Sequence, residues 1–148
     1  MKYSIFVLSV LSLFFLNCSK NIAKQKTANM YPSATFDNTR WKLIKLKGMD
    51  SLPDLQKDVF IQFNASDSSF KGHAGCNNMM GKYILNGNKL SIGPSAMTRM
   101  MCAPENMNVE TGLSKVITET DSFIINEDRL ELKKGSELLA ELQALYLK

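Results

Sequence analysis

Short apolar runs separated by turn signals predict a mainly β, α+β fold: a small antiparallel, partly open β-barrel or meander with one amphipathic helix packed on it. Three observations carry this prediction. From Trp41 onward, apolar residues recur with period two, as half-buried strands require. Gly-containing dipeptides punctuate those runs. One stretch alone, after Pro104, switches to a period near 3.6.

The elements follow in order. Strands are expected at roughly 40–47, 57–64, 68–73, 82–86, 89–94, 121–126, 129–134 and 137–145. Val59, Ile61 and Phe63 alternate with more polar neighbours, interrupted by Phe60. Leu90 and Ile92 alternate with Ser91 and Gly93, and Leu130 and Leu132 with Glu131 and Lys133. Asn86-Gly87 predicts a hairpin turn because both residues tolerate positive φ, and Lys134-Gly135 predicts another. The segment from Tyr83 to Ile92 parallels that from Phe123 to Leu132: an aromatic, two aliphatics, Asn, a turn, a base, Leu, a polar residue and an aliphatic. Two similar hairpins are implied. Between them, Pro104 opens a helix running to about Glu119. Its Val109, Leu113, Val116 and Ile117 share one face, and Glu105 and Glu110 suit its N-terminal half. Closing, or nearly closing, such a sheet hides its edges.

A chain of 148 residues with 45% apolar and 22% charged residues has room for one folded domain. Residues 1–17 read as a bacterial lipoprotein signal peptide. Lys2 supplies the positive start, and Ile5 to Leu16 form an uncharged apolar run too short for the ~20 residues of a bilayer span. Cys18 follows directly. Phe15-Leu16-Asn17 before it resembles a lipobox, although Phe15 and Asn17 depart from the usual Leu and small residue. The resemblance implies diacylglycerol on the Cys18 sulfur, and stable anchoring with three acyl chains. The other reading is a non-lipidated signal with Cys18 incidental. Ser19 rather than Asp implies, for a Gram-negative source, sorting to the outer membrane. Residues 18–38 are polar and aperiodic and are expected to be a flexible tether, leaving residues 39–148 as the domain.

The formal charge is +4, one unit of which leaves with Lys2. This mild excess is not gathered on one element, so no nucleic-acid partner is expected. Lys42, Lys45 and Lys47 are the nearest to a cluster. They read as edge-guarding lysines, or as contacts to anionic headgroups.

The richest local signal is Gly72-His-Ala-Gly-Cys-Asn-Asn-Met-Met-Gly-Lys-Tyr83, followed by Gly93-Pro-Ser-Ala-Met-Thr-Arg-Met-Met-Cys-Ala103. Gly72, Gly75 and Gly81 flank Cys76, so the backbone there bends or approaches a neighbour closely. Asn77 is a good turn residue. In an exported domain Cys76 and Cys102 fit one disulfide, closing a loop that chain entropy values at ~3.5 kcal/mol. Two reduced core cysteines are the alternative.

Gly-Cys-Asn, then Gly-x-Tyr, a hairpin and Thr-Arg-Met-Met-Cys resembles the signature of the META domain, as in HslJ-like heat-shock lipoproteins. The resemblance covers about Asn38 to Leu145, and Trp41-x-Leu and Leu130-x-Leu also fit it. It implies an antiparallel barrel-like fold with a helix, an outer-membrane setting and a link to heat and antibiotic stress. It implies no enzymatic reaction.

Three classes of function are open to the residues. The first is a non-catalytic envelope module, anchored through its acyl chains to membrane lipid and binding an unidentified envelope protein or lipid. Gly75, Asn77, Gly81, Thr98 and Arg99 are then the motif residues that could form its surface. Thr98 and Arg99 have either a hydrogen-bonding role beside the Cys76 loop or a place on that surface. The second is a soft-metal, Cu(I), or redox site at the two cysteines with His73, Met79, Met80, Met97, Met100 and Met101. Adjacent Met79 and Met80 would point apart on a strand, and methionines commonly fill cores. The third is an enzyme. His73 is the single histidine and is expected to face outward, and no nucleophile elbow, phosphate loop or zinc spacing occurs. No catalytic residue, cofactor or resident metal is therefore expected. Trp41 and Tyr83 read as core or rim packing.

Overall fold

The computed structural model describes residues 34–146. The signal peptide, Cys18 and most of the proposed tether lie outside the described residues. The elements are β1 (Arg40–Leu46), β2 (Phe60–Asn64), β3 (Ser69–His73), β4 (Asn78–Asn86), β5 (Lys89–Met97), α1 (Pro104–Glu119), β6 (Ser122–Asn126), β7 (Arg129–Lys134) and β8 (Glu137–Leu145). Each strand pairs antiparallel with the next. β8 returns to β1, from Arg40↔Leu145 to Leu46↔Ala140, so the sheet forms a ring.

Period two decides what the ring encloses. Trp41, Leu43 and Leu46 of β1, Ile61 and Phe63 of β2 and Leu130 and Leu132 of β7 all point inward and are buried. Phe36 stacks on Phe63 at 4.2 Å between ring centroids and lies 4.5 Å from Phe123, with Tyr83 edge-on to Phe63 at 5.3 Å. Such aromatic pairs contribute ~0.5–1.5 kcal/mol each beyond area burial. Burial first, then the carboxylates of Asp37 and Asp67, push the Tyr83 pKa up. Trp41 Nε1 donates to the Phe36 carbonyl at 3.0 Å.

The ring is thin at one seam. β5 meets β6 at a single pair, Lys89↔Ser122. Leu90 N–H to the Asp121 carbonyl and Phe123 N–H to the Asn88 carbonyl, both 3.0 Å, are the bonds beside it. Among the described residues, β5 from Ser91 to Met97 has no strand partner on its far side. The helix packs there instead. Its Val109, Leu113, Val116 and Ile117 are the four predicted from the periodicity, and all four are buried. Gly112 lets it lie close, since a Cβ there would meet Leu46 Cδ2 at 2.7 Å.

The sequence expectations differ from the structure in several places, and β2 begins at Phe60 rather than near residue 57. β4 begins at Asn78 and β5 runs to Met97, longer than expected at one end each. The β4–β5 register shifts between Gly81 and Tyr83, so Gly93-Pro94 sit opposite Lys82 in a bulge that absorbs a proline without ending the strand. The first hairpin is displaced by one residue: Asn86 pairs with Lys89, and Gly87, at φ +61°, is the first turn residue. The folded part begins before residue 39. Phe36 belongs to the core and Asp37 bridges to Phe63, so residues 34–38 are not tether. A lone aromatic in a polar stretch, with no period around it, hid this. Finally, His73 is buried rather than outward-facing. It lies between two cross-strand neighbours, Phe60 and Asn78, and its Nδ1 is 3.3 Å from Asn78 Oδ1. The parallel hairpins are as expected, with Tyr83↔Ile92 matched by Phe123↔Leu132.

Two outcomes follow from this packing. A Cβ at Gly72 would run into the Phe60 carbonyl oxygen and come within 3.3 Å of Ile61 Cα, both backbone atoms. Gly72→Ala is therefore expected to lower stability by ~1–3 kcal/mol or more in urea unfolding, with the denaturant slope unchanged. Asp121 accepts from the Ser122 hydroxyl at 2.7 Å and from Gly135 N–H at 2.9 and 3.0 Å, and these bonds hold its pKa below the usual aspartate range. A depressed folded pKa means stability present above ~3.9 and lost as pH falls through the lower folded value. An NMR titration of the Asp121 carboxyl is expected to show a midpoint below that of a free aspartate, shifting upward in Ser122→Ala.

Candidate functional site

The motif residues converge where the β3–β4 turn meets the segment joining β5 to α1. Gly75 has φ +114°, a region closed to most side chains, and a Cβ there would lie 3.0 Å from the Asn106 carbonyl of the helix. Asn106 Nδ2 donates back to the Gly75 carbonyl at 2.8 Å. The turn is thus pressed against the first turn of α1. Cys76 and Cys102 are joined by a disulfide with Cα atoms 5.8 Å apart, which ties the turn covalently to the residues just before the helix.

Asn77 is the centre of the cluster and is 2% exposed. Its Oδ1 accepts from Met100 N–H at 2.7 Å and from the Thr98 hydroxyl at 2.8 Å. Its Nδ2 donates to the Met100 carbonyl at 3.2 Å and to Glu110 Oε1 at 3.0 Å. Its backbone N–H donates to Glu110 Oε2 at 2.6 Å, and its carbonyl accepts from Ala74 N–H at 2.8 Å. An amide side chain has two donor hydrogens and an oxygen with two lone pairs. All four of those capacities are used, by three residues on two segments of chain. Thr98 completes the set: its hydroxyl donates to Asn77 and accepts from Asn78 N–H at 3.1 Å.

The candidate residues therefore divide. Cys76, Cys102, Gly75, Asn77 and Thr98 come together as a brace. Gly81 lies outside it, in β4 opposite Phe70, whose ring occupies the space a side chain would need at 2.6 Å. Arg99 is exposed and, among the described residues, has no hydrogen bond or ion pair. Met101, beside it, is 97% exposed. Cys18 lies outside the described residues. Sequence reasoning used Glu110 only as a helix-terminus charge and passed over Asn106. A carboxylate early in a helix is visible in sequence, but the turn it meets, 33 residues away, is not.

The brace has a measurable signature. Asn77→Ala is expected to cost ~2–4 kcal/mol, because it leaves Glu110 Oε1 and the Met100 N–H and carbonyl without their amide partner, while the backbone bond to Glu110 Oε2 remains. Thr98→Val should cost about 1 kcal/mol. A double-mutant cycle between Asn77 and Glu110 is expected to show coupling above ~0.5 kcal/mol.

With this geometry in view, the relatives can be placed. A solved NMR structure of a protein from Burkholderia xenovorans superposes with a TM-score of 0.62 at 21% identity, over 76% of this chain and 85% of that one. A second NMR structure superposes with a TM-score of 0.58 at 23% identity, over 74% of this chain and 95% of that one. At these identities the likeness is one of fold alone. Among curated proteins, none matches the chain. The META domain family model matches residues 34–144, taking in β1 to β7, the brace, the helix and nearly all of β8. The chain belongs to the META domain family.

Proposed function

We propose that this protein is a non-catalytic, stress-related module of the bacterial envelope, held at the outer membrane by acylated Cys18 and binding an envelope protein or lipid. The observation that carries this reading is the use made of the motif's polar groups. Asn77, Thr98 and Glu110 bond to one another and to the backbone, so they act as a brace and not as groups turned toward a substrate. Among the side chains exposed in and beside the motif are apolar and cationic ones, Met80, Ile84, Met101 and Arg99. A binding surface needs such groups more than a catalytic centre does.

The soft-metal reading is weaker. It needs thiolates, and Cys76 and Cys102 are bonded to each other. Met79 is 1% exposed and Met80 59%, so the adjacent pair faces opposite sides of the sheet.

The test is an intact mass of the membrane-purified protein, alkylated without reduction. The expected species starts at Cys18, carries added lipid and has no alkylated thiol. An unprocessed, unlipidated chain would overturn the anchor, and two alkylated thiols would restore the metal or redox reading.

A further inference from the structure

We propose that the outer face of β3, β4 and β5 is a docking surface for an anionic lipid bilayer. The proposal rests on the envelope reading above and names the partner within it.

The face is unusual first in charge. Strands β2 to β5 contain Lys71, Lys82 and Lys89 and no aspartate or glutamate. Across the ring, β7 and β8 mix Glu131, Glu137 and Glu141 with Arg129, Lys133 and Lys134. Lys71 and Lys89 have no ion-pair partner among the described residues. Lys82 pairs with Asp67 at 3.3 Å, and that carboxylate is also held by the Ser69 hydroxyl at 2.6 Å. Asp121 borders the face near Lys89, with its oxygens on Ser122 and Gly135. By contrast Lys42 and Lys47, of the lysine-rich β1 stretch, pair with Asp58 and Glu137. Lys45 of β1 and Lys134 of β7 likewise form no ion pair among the described residues, so what sets this face apart is free lysines without acidic residues on its strands, beside exposed apolar groups.

The face is unusual also in what stands between the lysines. Along β4 the outward positions are Asn78, Met80, Lys82, Ile84 and Asn86, alternating with buried Met79 and Tyr83. Ile84 is 73% exposed and Met80 59%. Beside Met80 lies a shallow trough of about 650 Å³, floored by Gly81, Pro94 and Ala96 and edged by Lys71 and Lys82. Isolated exposed apolar residues are ordinary, but a trough of them rimmed by cations is a site. The outward positions hold no Tyr, Trp or Arg, the residues that anchor protein–protein hot spots. Aliphatics flanked by lysines suit a lipid interface better. There the aliphatics enter the headgroup–acyl boundary, and the lysine stems lie along them with their ammonium groups at phosphate level.

The experiment uses the full-length, membrane-purified protein reconstituted in vesicles of phosphatidylcholine alone, or with phosphatidylglycerol added. Amine-reactive labelling followed by peptide mass spectrometry reads each lysine. Lys71 and Lys89 are expected to label at least ~3-fold less in the anionic vesicles, while Lys134 on β7 is unchanged. Labelling should recover near ~0.5 M salt, where the Debye length falls to ~4 Å. Ile84→Ser, an outward change that leaves the core intact, should abolish the protection while the melting temperature holds. Equal labelling of Lys71 and Lys89 in both vesicles overturns the proposal. So does protection that appears only in native membranes, which would assign the face to an acidic protein. The intact mass of the same sample separates a missing anchor from a face that does not dock.

Discussion

A ring of eight antiparallel strands leaves no free edge only if every neighbouring pair is long enough, and here one is not. β5 and β6 share a single residue pair, so most of β5 has an exposed flank. Backbone groups and apolar side chains along such a flank must be covered or left as a template for other chains. The helix provides the cover, and the disulfide with the bonds of Gly75 and Asn77 holds it there. Its apolar face contributes through burial of Val109, Leu113, Val116 and Ile117. Burial is non-directional, however, and would allow the helix to slide. Direction comes from its N-terminal half, where Asn106 and Glu110 bond to Gly75 and Asn77 and the disulfide fixes the approach.

How much of this is legible in the sequence depends on the range of the interaction. The helix and its buried face follow from local periodicity, and so do the paired hairpins. The strand ends around Gly81 and Gly93-Pro94 do not. Glycine and proline normally stop a strand, and only the partner strand reveals that they form a bulge within one. Asn77 is visible as a turn residue, yet its four side-chain bonds reach residues 21 to 33 positions away. Nothing local encodes them. His73 was misjudged for a related reason. Its strand loses alternation at Gly72-His73, where both residues are buried. Of the two polar motif residues that sequence left undecided, Thr98 belongs to the brace and Arg99 to the surface.

The distribution of charge separates stability from recognition in the same molecule. At the surface Arg129 pairs with Glu141, Lys133 with Glu131, Lys47 with Glu137 and Lys42 with Asp58. Exposed pairs of this kind contribute ~0–1 kcal/mol each. They leave Lys71 of β3 and Lys89 of β5 without ion pairs among the described residues, on strands that carry no acidic residue.

The disulfide has a topological consequence as well. Cys76 stands just before β4 and Cys102 just after β5, so the bond closes the open end of the long hairpin that Gly87 and Asn88 close at the other. The two strands form a covalent circle, stitched lengthwise by their own hydrogen bonds. A protease that cuts the Gly87 tip would open the circle without releasing either half. Such a nick would be silent on a non-reducing gel, and each strand would keep its place beside the other.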